Sequence, residues 1–484
     1  MTGYVVGLDL GSSSLKVVVT DARLAVVGRG RVGYGVDHPR PGWAEQPVAR
    51  WEAALAPAIR QALASAGVAA TDVVALGLAG QLDGCVAVDA DGRALAPCLI
   101  WMDRRATAEV PDLPADTFQQ RTGQVLDASH LAAKARWLAA RHPVARLHQP
   151  VSYLVSILTG AHVMDAGLAS TTNLYDLRAG AWAGDLCAAF ALDPAWLPTL
   201  APAASRAGNL TRAGAALTGL PVGIPVAVGT GDDFATPLGA GVVGPGQAFC
   251  VAGTAEVVGA VSARLVIDPG GLVETHAYPT GGFLIEHPGW PSGGTLTWLG
   301  QLVGQPDPAA LVALADGIAV GADDLTFLPA LTGAMTPRWD ARARAGFYGL
   351  TPSHGPGHVV RAVLEALALA ERDVLDRLAQ LGLPDHPVLV LGGGSSNDAW
   401  AQLRADLTGR SHALTAHTDT CAVGAAMLGA VAGGLAETVR AVAPAQPAVR
   451  AIVAPAPGAA AAAAAAHRRY LELFAALTPM FAPA

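Results

Sequence analysis

Tyr4-Val5-Val6-Gly7-Leu8-Asp9-Leu10-Gly11-Ser12-Ser13-Ser14-Leu15-Lys16-Val17-Val18-Val19-Thr20 reads as two short strands joined by a tight turn. Tyr4–Leu10 is apolar until Asp9, Gly-Ser-Ser-Ser supplies turn residues, and Leu15–Thr20 is rich in β-branched valine. A third strand, Leu24–Tyr34, is expected after the second turn, Asp21-Ala22-Arg23. Trp51, Leu55, Ile59 and Leu63 then recur at a spacing of four, which predicts a helix ending near Gly67. Apolar strands follow at Val73–Leu78 and Cys85–Val88, the latter closed by Asp89-Ala90-Asp91-Gly92. Meander, helix and strand in this order predict an α/β fold with a mixed sheet.

A second block of the same kind begins near Gly244. Gln247–Ala252 and Glu256–Ser262 read as strands around Gly253-Thr254, and a helix-rich stretch covers Thr295–Ala315. His358–Leu381 has a long helical pattern, and Val388–Leu391 is a buried strand running into Gly392-Gly393-Gly394. A strand–turn–strand unit thus opens each half, with Pro221–Gly246 between them. Two related α/β domains, 1–243 and 244–484, are expected to share a cleft. In the tail, Ala451–Ala466 carries an alanine run and His467–Phe481 reads as an amphipathic helix with Tyr470, Leu473, Phe474 and Leu477. Alanine's helix propensity favours a packed terminal helix.

At 484 residues the chain is too long for one simple core. It has no stretch of eighteen bulky apolar residues, so no membrane span is expected. No basic region precedes the first apolar residues and Asp9 follows at once, which reads as a buried first strand rather than a signal peptide. The five cysteines, Cys85, Cys98, Cys187, Cys250 and Cys421, are scattered and read as buried thiols, suited to a reducing cytoplasm. The net charge of -8 is spread without a basic block, which speaks against nucleic acid as a partner.

Four segments carry chemistry. Asp9 ends a buried strand, where a carboxylate can hold a hydrated Mg²⁺; the small turn after it lets backbone N–H groups approach phosphate oxygens, and Lys16 adds positive charge. An ordinary hairpin turn satisfies the same residues. Gly229-Thr230-Gly231-Asp232-Asp233 puts carboxylates at a junction between strand Pro225–Val228 and helix Phe234–Ala240, where substrate can reach them; a plain helix N-cap is the alternative. Val251-Ala252-Gly253-Thr254-Ala255 is a second strand–turn with a hydroxyl, suited to the far side of a phosphate chain or to a simple hairpin. Gly392-Gly393-Gly394-Ser395-Ser396-Asn397 bares backbone on which a nucleobase or phosphate can lie, or makes a flexible turn. Their order, with a phosphate turn opening each half and a carboxylate between, matches a two-domain nucleotide-binding cleft.

With these segments in place the sequence resembles the FGGY family of carbohydrate kinases, and within it the xylulokinase-like branch. The resemblance adds Pro41-Gly42-Trp43-Ala44-Glu45-Gln46, Gly80-Gln81, Trp101-Met102-Asp103-Arg104-Arg105, Leu158-Thr159-Gly160, Ser292-Gly293-Gly294 with Trp298, Thr336-Pro337-Arg338-Trp339-Asp340 and Val423-Gly424-Ala425-Ala426, in family order. It implies a pair of actin-like, ribonuclease-H-like domains of the hexokinase type that close on ATP, Mg²⁺ and a sugar. It implies Asp232 as general base, Asp9 with Asp232 at the metal, and Gly11, Ser12, Ser13, Lys16, Gly253 and Thr254 around the phosphates. Gly293, Gly294, Gly393, Gly394 and Asn397 would lie by the nucleoside, and Gln81, Leu82, Asp83, Trp101, Asp103 and Asp233 would line the sugar site. D-xylulose is the leading acceptor, with ribulose, erythritol or another polyol as alternatives; a homodimer is compatible with the sequence.

Three positions depart from the pattern. Leu82-Asp83 stands where xylulokinases carry Met-His, and polyol kinases of the family often have an acidic residue near there. Ala334-Met335 replaces a Glu-Arg pair, and Asp233 stands where Asn or Gln is common. Two rival functions, a sugar-sensing regulator and a filament-forming ATPase, share the fold. The first usually carries an N-terminal helix-turn-helix or a zinc-bound cysteine cluster, and this chain shows neither.

Overall fold

The computed structural model describes residues 3–416, 419–443 and 448–481. The opening meander is present: β1 (Tyr4–Leu10), β2 (Ser14–Thr20) and β3 (Val26–Gly33) pair antiparallel, with Asp9 opposite Lys16. Helix α1 (Val48–Ala66) buries Trp51, Leu55, Ile59 and Leu63 and ends at Gly67, whose φ of 65° lies in the left-handed region that glycine tolerates. Strand β4 (Val73–Gly80) runs parallel to β1, and β5 (Pro225–Ala227) runs parallel to β4.

The second half repeats the plan. Strands β6 (Ala248–Ala252), β7 (Glu256–Ser262), β8 (Glu274–Ala277) and β9 (Phe283–Trp290) pair antiparallel in the order β8-β9-β7-β6. Beyond β6 lie β10 (Val388–Leu391) and β11 (His412–Thr415), both parallel, and then antiparallel β12 (Val449–Val453). Each sheet therefore contains three antiparallel strands followed by two parallel to the first, β3-β2-β1-β4-β5 and β9-β7-β6-β10-β11. This duplicated sheet is the actin-like ATPase architecture that the sequence motifs imply.

The two lobes interlock through two helices, α2 (Asp232–Gly239) and α6 (Thr420–Ala432). Helix α6 follows β11 of the second sheet yet lies on the first. A Cβ at Gly7 of β1 would stand 2.0 Å from the Ala422 carbonyl oxygen, and one at Gly77 of β4 would stand 1.8 Å from that of Ala425. Only bare backbone lets the helix lie this close. α2 and α6 touch in the same way, since a Cβ at Gly424 would meet the Ala235 carbonyl oxygen at 2.1 Å.

Several boundaries differ from expectation. The helix predicted at Phe234 starts two residues earlier, so Asp232 and Asp233 occupy its first turn and Gly231 is the N-cap. The tail is one helix, Ala459–Leu477, because the alanines continue the register of Tyr470, Leu473 and Phe474, which are buried; β12 before it was not foreseen. Cys85 makes only an isolated bridge to Leu99, leaving Val86–Val88 as the strand. All five cysteines are buried and unpaired. Among the described residues no helix is long and apolar enough to cross a membrane.

Candidate active site

The first turn is built by its own backbone and by two distant residues. Gly11 N–H donates to the Ser14 carbonyl at 3.1 Å, closing the turn, and Tyr34 Oη donates to the Gly11 carbonyl at 2.7 Å. Lys16 Nζ donates to Asp9 Oδ2 at 3.1 Å; the neighbouring carboxylate is the main reason the Lys16 ammonium is held above its ordinary range. Ser13 is exposed. Gln46 ties the region together: its Nε2 donates to the Ser12 carbonyl at 2.6 Å, and its Oε1 accepts from Gln81 Nε2 at 2.8 Å and from Trp51 Nε1 at 3.2 Å.

A second polar cluster is assembled around Asp83. This residue has φ of 59°, a left-handed conformation that Asp tolerates better than most side chains. Its N–H donates to Gln149 Oε1 at 2.8 Å, its carbonyl accepts from Lys134 Nζ at 2.8 Å, and its Oδ1 lies 3.3 Å from His130 Nδ1. Lys134 is fully buried and also donates to the carbonyls of Ile100 and Ser129, so one ammonium clamps three loops; burial lowers it to about 8. Neither Lys134 nor His130 was singled out from sequence. A lysine within Leu131–Ala139, otherwise mostly apolar, was the available signal.

Trp101 stays 41% exposed and Leu82 half-buried. Asp103 is different. It is completely buried, accepting from Ala44 N–H at 2.7 Å and from Arg105 N–H at 3.0 Å, with Arg105 Nε on both oxygens. Its carboxylate anchors the Trp101–Arg105 segment and turns no oxygen to the cleft.

Asp232 and Asp233 sit at the N-terminus of α2, where the helix dipole favours negative charge. Burial and then the charge of Asp9 nevertheless raise Asp232 to about 7. Burial, Asp232 and Asp83 hold Asp233 well above the carboxylate range. Thr230 just before them donates to buried Asp165 at 2.9 Å, fixing the strand-to-helix junction.

The remaining glycine segments converge on the second lobe. Gly293 N–H donates to the Gly253 carbonyl at 3.2 Å and Gly294 N–H to the Thr254 carbonyl at 3.0 Å, joining the second turn to the start of helix α3 (Ser292–Leu302). Gly392 and Gly394 pack on Ala252: a Cβ at either would come within 2.8 and 2.4 Å of it, whereas Gly393 has open space. Asn397 Oδ1 accepts from Trp400 N–H at 2.9 Å as the N-cap of helix α5 (Asp398–Thr408). Thr254 and Gly393 are exposed. Among the described residues, one group of three donors within 4.8 Å of each other, Cys250, Glu256 and Glu371, lies elsewhere, in the second lobe's core. It already holds Arg404, whose Nε donates to Glu371 Oε2 at 2.7 Å and whose Nη2 pairs with Glu256.

Two lobes on one sheet plan, each opened by a glycine turn and with carboxylates at the start of α2, are those of a class: the carbohydrate kinases of the actin-like ATPase fold. A solved xylulose kinase from Rhodospirillum rubrum superposes with a TM-score of 0.89 over 99% of both chains at 30% identity. The chain belongs to the FGGY family of carbohydrate kinases, whose N-terminal domain matches residues 4–239 and whose C-terminal domain matches residues 248–433. It is 32% identical over 414 residues to the xylulose kinase of Escherichia coli (strain K12), covering 84% of this chain and 85% of the relative. It is also 32% identical over 458 residues to the glycerol kinase of Bordetella parapertussis, covering 89% of each. As a member of this family it is an ATP-dependent sugar phosphotransferase.

Proposed function

We propose that the enzyme moves the γ-phosphoryl group of ATP, with Mg²⁺, onto a hydroxyl of a small ketose or polyol, D-xylulose first among them. The observation that carries this is the placement of Asp232: it opens α2 between the Asp9–Lys16 pair on one side and Asp83 with Asp233 on the other. A base there reaches both an acceptor hydroxyl and the phosphate side of the cleft. Its elevated affinity for a proton suits general-base work near neutral pH.

The carboxylates also fit a metal. Asp9 and Asp232 act on each other as like charges, and a divalent cation held by both would relieve that repulsion. When bound, Mg²⁺ would neutralise charge on the phosphates. The protein's own part is positional. The N–H groups of turns 11–14 and 253–255, with Lys16, would hold phosphate oxygens, while Gln81, Asp83, Trp101 and Asp233 orient the acceptor. As the acceptor oxygen bonds to the γ-phosphorus, its proton passes to an Asp232 carboxylate oxygen and the β–γ bridging oxygen leaves with ADP. Because the transition state is loose, placing the partners in line matters more than base strength. Lobe closure would exclude water, which otherwise competes as acceptor.

D-xylulose is supported by the similarity to xylulose kinases; polyols are supported by Asp83 and by the equal similarity to a glycerol kinase. Unpaired buried thiols support a cytoplasmic setting. An ADP-release assay over ketopentoses, pentitols, tetritols and glycerol tests the proposal. Acceptor-dependent ADP release supports it; ADP release indifferent to every acceptor would point to a structural ATPase instead.

A further inference from the structure

We propose that Glu274, His276 and Glu286 of the second lobe form a distal acceptor subsite that takes an uncharged, open-chain polyhydroxy substrate longer than glycerol. This rests on the kinase reading above and names its substrate class.

Strand β8 reaches across to the first lobe. Thr275 N–H donates to the Gly123 carbonyl at 2.9 Å, Val125 N–H donates to Glu274 Oε1 at 2.9 Å, and Ala277 N–H donates to Ser170 Oγ at 3.0 Å. Glu274 and Glu286 stand directly opposite on β8 and β9, and His276, two residues along, shares the face of Glu274. Phe234, next to Asp233, packs edge-on against His276 with ring centroids 5.9 Å apart, which brings this face up to the acceptor side of α2.

The spacing is that of groups waiting for a partner between them. His276 Nε2 is 3.7 Å from Glu274 Oε2 and 3.9 Å from Glu286 Oε1, and His130 Nε2 is 3.8 Å from Glu274 Oε1. All exceed hydrogen-bond distance. Glu286 Oε2 is buried without a hydrogen-bond partner, on a residue only 2% exposed, and His276 beside it is only 3% exposed. Buried polar atoms are paired in the working molecule, and a ligand hydroxyl between these groups would do so.

Counting hydroxyls sets the length. After the reacting hydroxyl, glycerol has two left, which Asp83 and Asp233 suffice to accept. Glu274 and Glu286 find hydroxyls only on a longer chain. Charge sets the rest. The acidic side chains here are Asp83, Asp233, Glu274 and Glu286, while Lys134 is consumed by carbonyls, Arg104 pairs with Asp127, and Arg105 with Asp103 and Glu45. An acceptor bearing its own carboxylate would find no unengaged cation to bind it, since His130, the remaining cationic group, is held by Asp83.

The test compares wild type, Glu274→Gln and Glu286→Gln on glycerol, erythritol, xylitol, D-xylulose and D-gluconate with saturating ATP, with thermal melts to confirm folding. Wild type should favour the best four- or five-carbon acceptor over glycerol at least about tenfold in kcat/KM, and xylitol over D-gluconate. Each variant should reduce the first ratio about tenfold or more while the KM for ATP stays within about twofold. An unchanged ratio in the folded variants, or D-gluconate used as well as xylitol, overturns the subsite while leaving the kinase intact. Absence of acceptor-dependent turnover in wild type overturns the kinase reading itself. If one variant fails to fold, the other and the wild-type D-gluconate comparison decide.

Discussion

The indole N–H of Trp101 donates to Ser12 Oγ at 2.9 Å, and Ser12 Oγ in turn donates to Gln81 Oε1 at 3.3 Å. A residue proposed to orient the acceptor is thereby bonded to the turn proposed to cradle phosphate, so the two substrates would share one scaffold.

Trp101→Phe keeps the aromatic face and removes the donor. A net hydrogen bond is worth about 0.5–1.5 kcal/mol, so the acceptor KM should rise roughly two- to tenfold. Steady-state kinetics with varied acceptor check this; an unmoved KM would mean that the bond orders nothing that the acceptor feels.

Asp232→Asn retains size and most hydrogen bonding but cannot take a proton. Turnover should fall by ~10²–10⁴-fold with ATP affinity little changed. Near-normal turnover in single-turnover experiments would remove Asp232 from the role of base.

Asp9→Ala should raise the Mg²⁺ concentration needed for half-maximal rate and leave acceptor binding nearly intact, because this carboxylate pairs with Lys16 on the phosphate side. Titrating Mg²⁺ against rate at fixed ATP reads the shift. A half-saturation point identical to wild type contradicts the metal assignment.

His130 predicts a pH dependence of stability. Burial opposes its charge, but Asp83, then Glu274 and Asp127, outweigh burial and push it up to about 9 from 6.5. A raised folded-state value means stabilisation that is complete below 6.5 and lost as pH rises through 9. Glu274, raised to about 7 chiefly by burial, loses stability in the same direction as it ionises. The melting temperature should therefore fall between pH 6.5 and 9, and His130→Gln should flatten that fall. A variant slope equal to wild type would show that His130 is not the charged partner of Asp83.

The meander, the parallel strands and the carboxylate at the end of β1 were legible because strand period, turn residues and a lone Asp in an apolar run are local signals. Gln46 stands in the sequence only as part of the Pro41–Gln46 family segment; its link to Gln81 depends on two loops meeting, which no local pattern encodes. Glu274 and His276 alternate with Thr275 and Ala277, as on a solvated strand face, and only the docking of β8 on Gly123 and Ser170 buries them. Asp103 shows the reverse. A residue implied by resemblance to line the sugar site spends its carboxylate on Arg105 and Ala44. Residue type points to a site; the neighbours that claim its atoms are set by the tertiary fold.

The seating of α6 on the first sheet has a consequence for the protein's birth. Gly7 and Gly77 are made early, but the helix that lies against them ends at Ala432. At about 5–20 residues per second, the nascent first lobe waits on the order of 10 to 40 seconds after Gly239 emerges before that face is covered. Through that interval the face lined by Val5, Val18 and Ala75 lacks its covering helix, and a chain ended before Thr420 never acquires it.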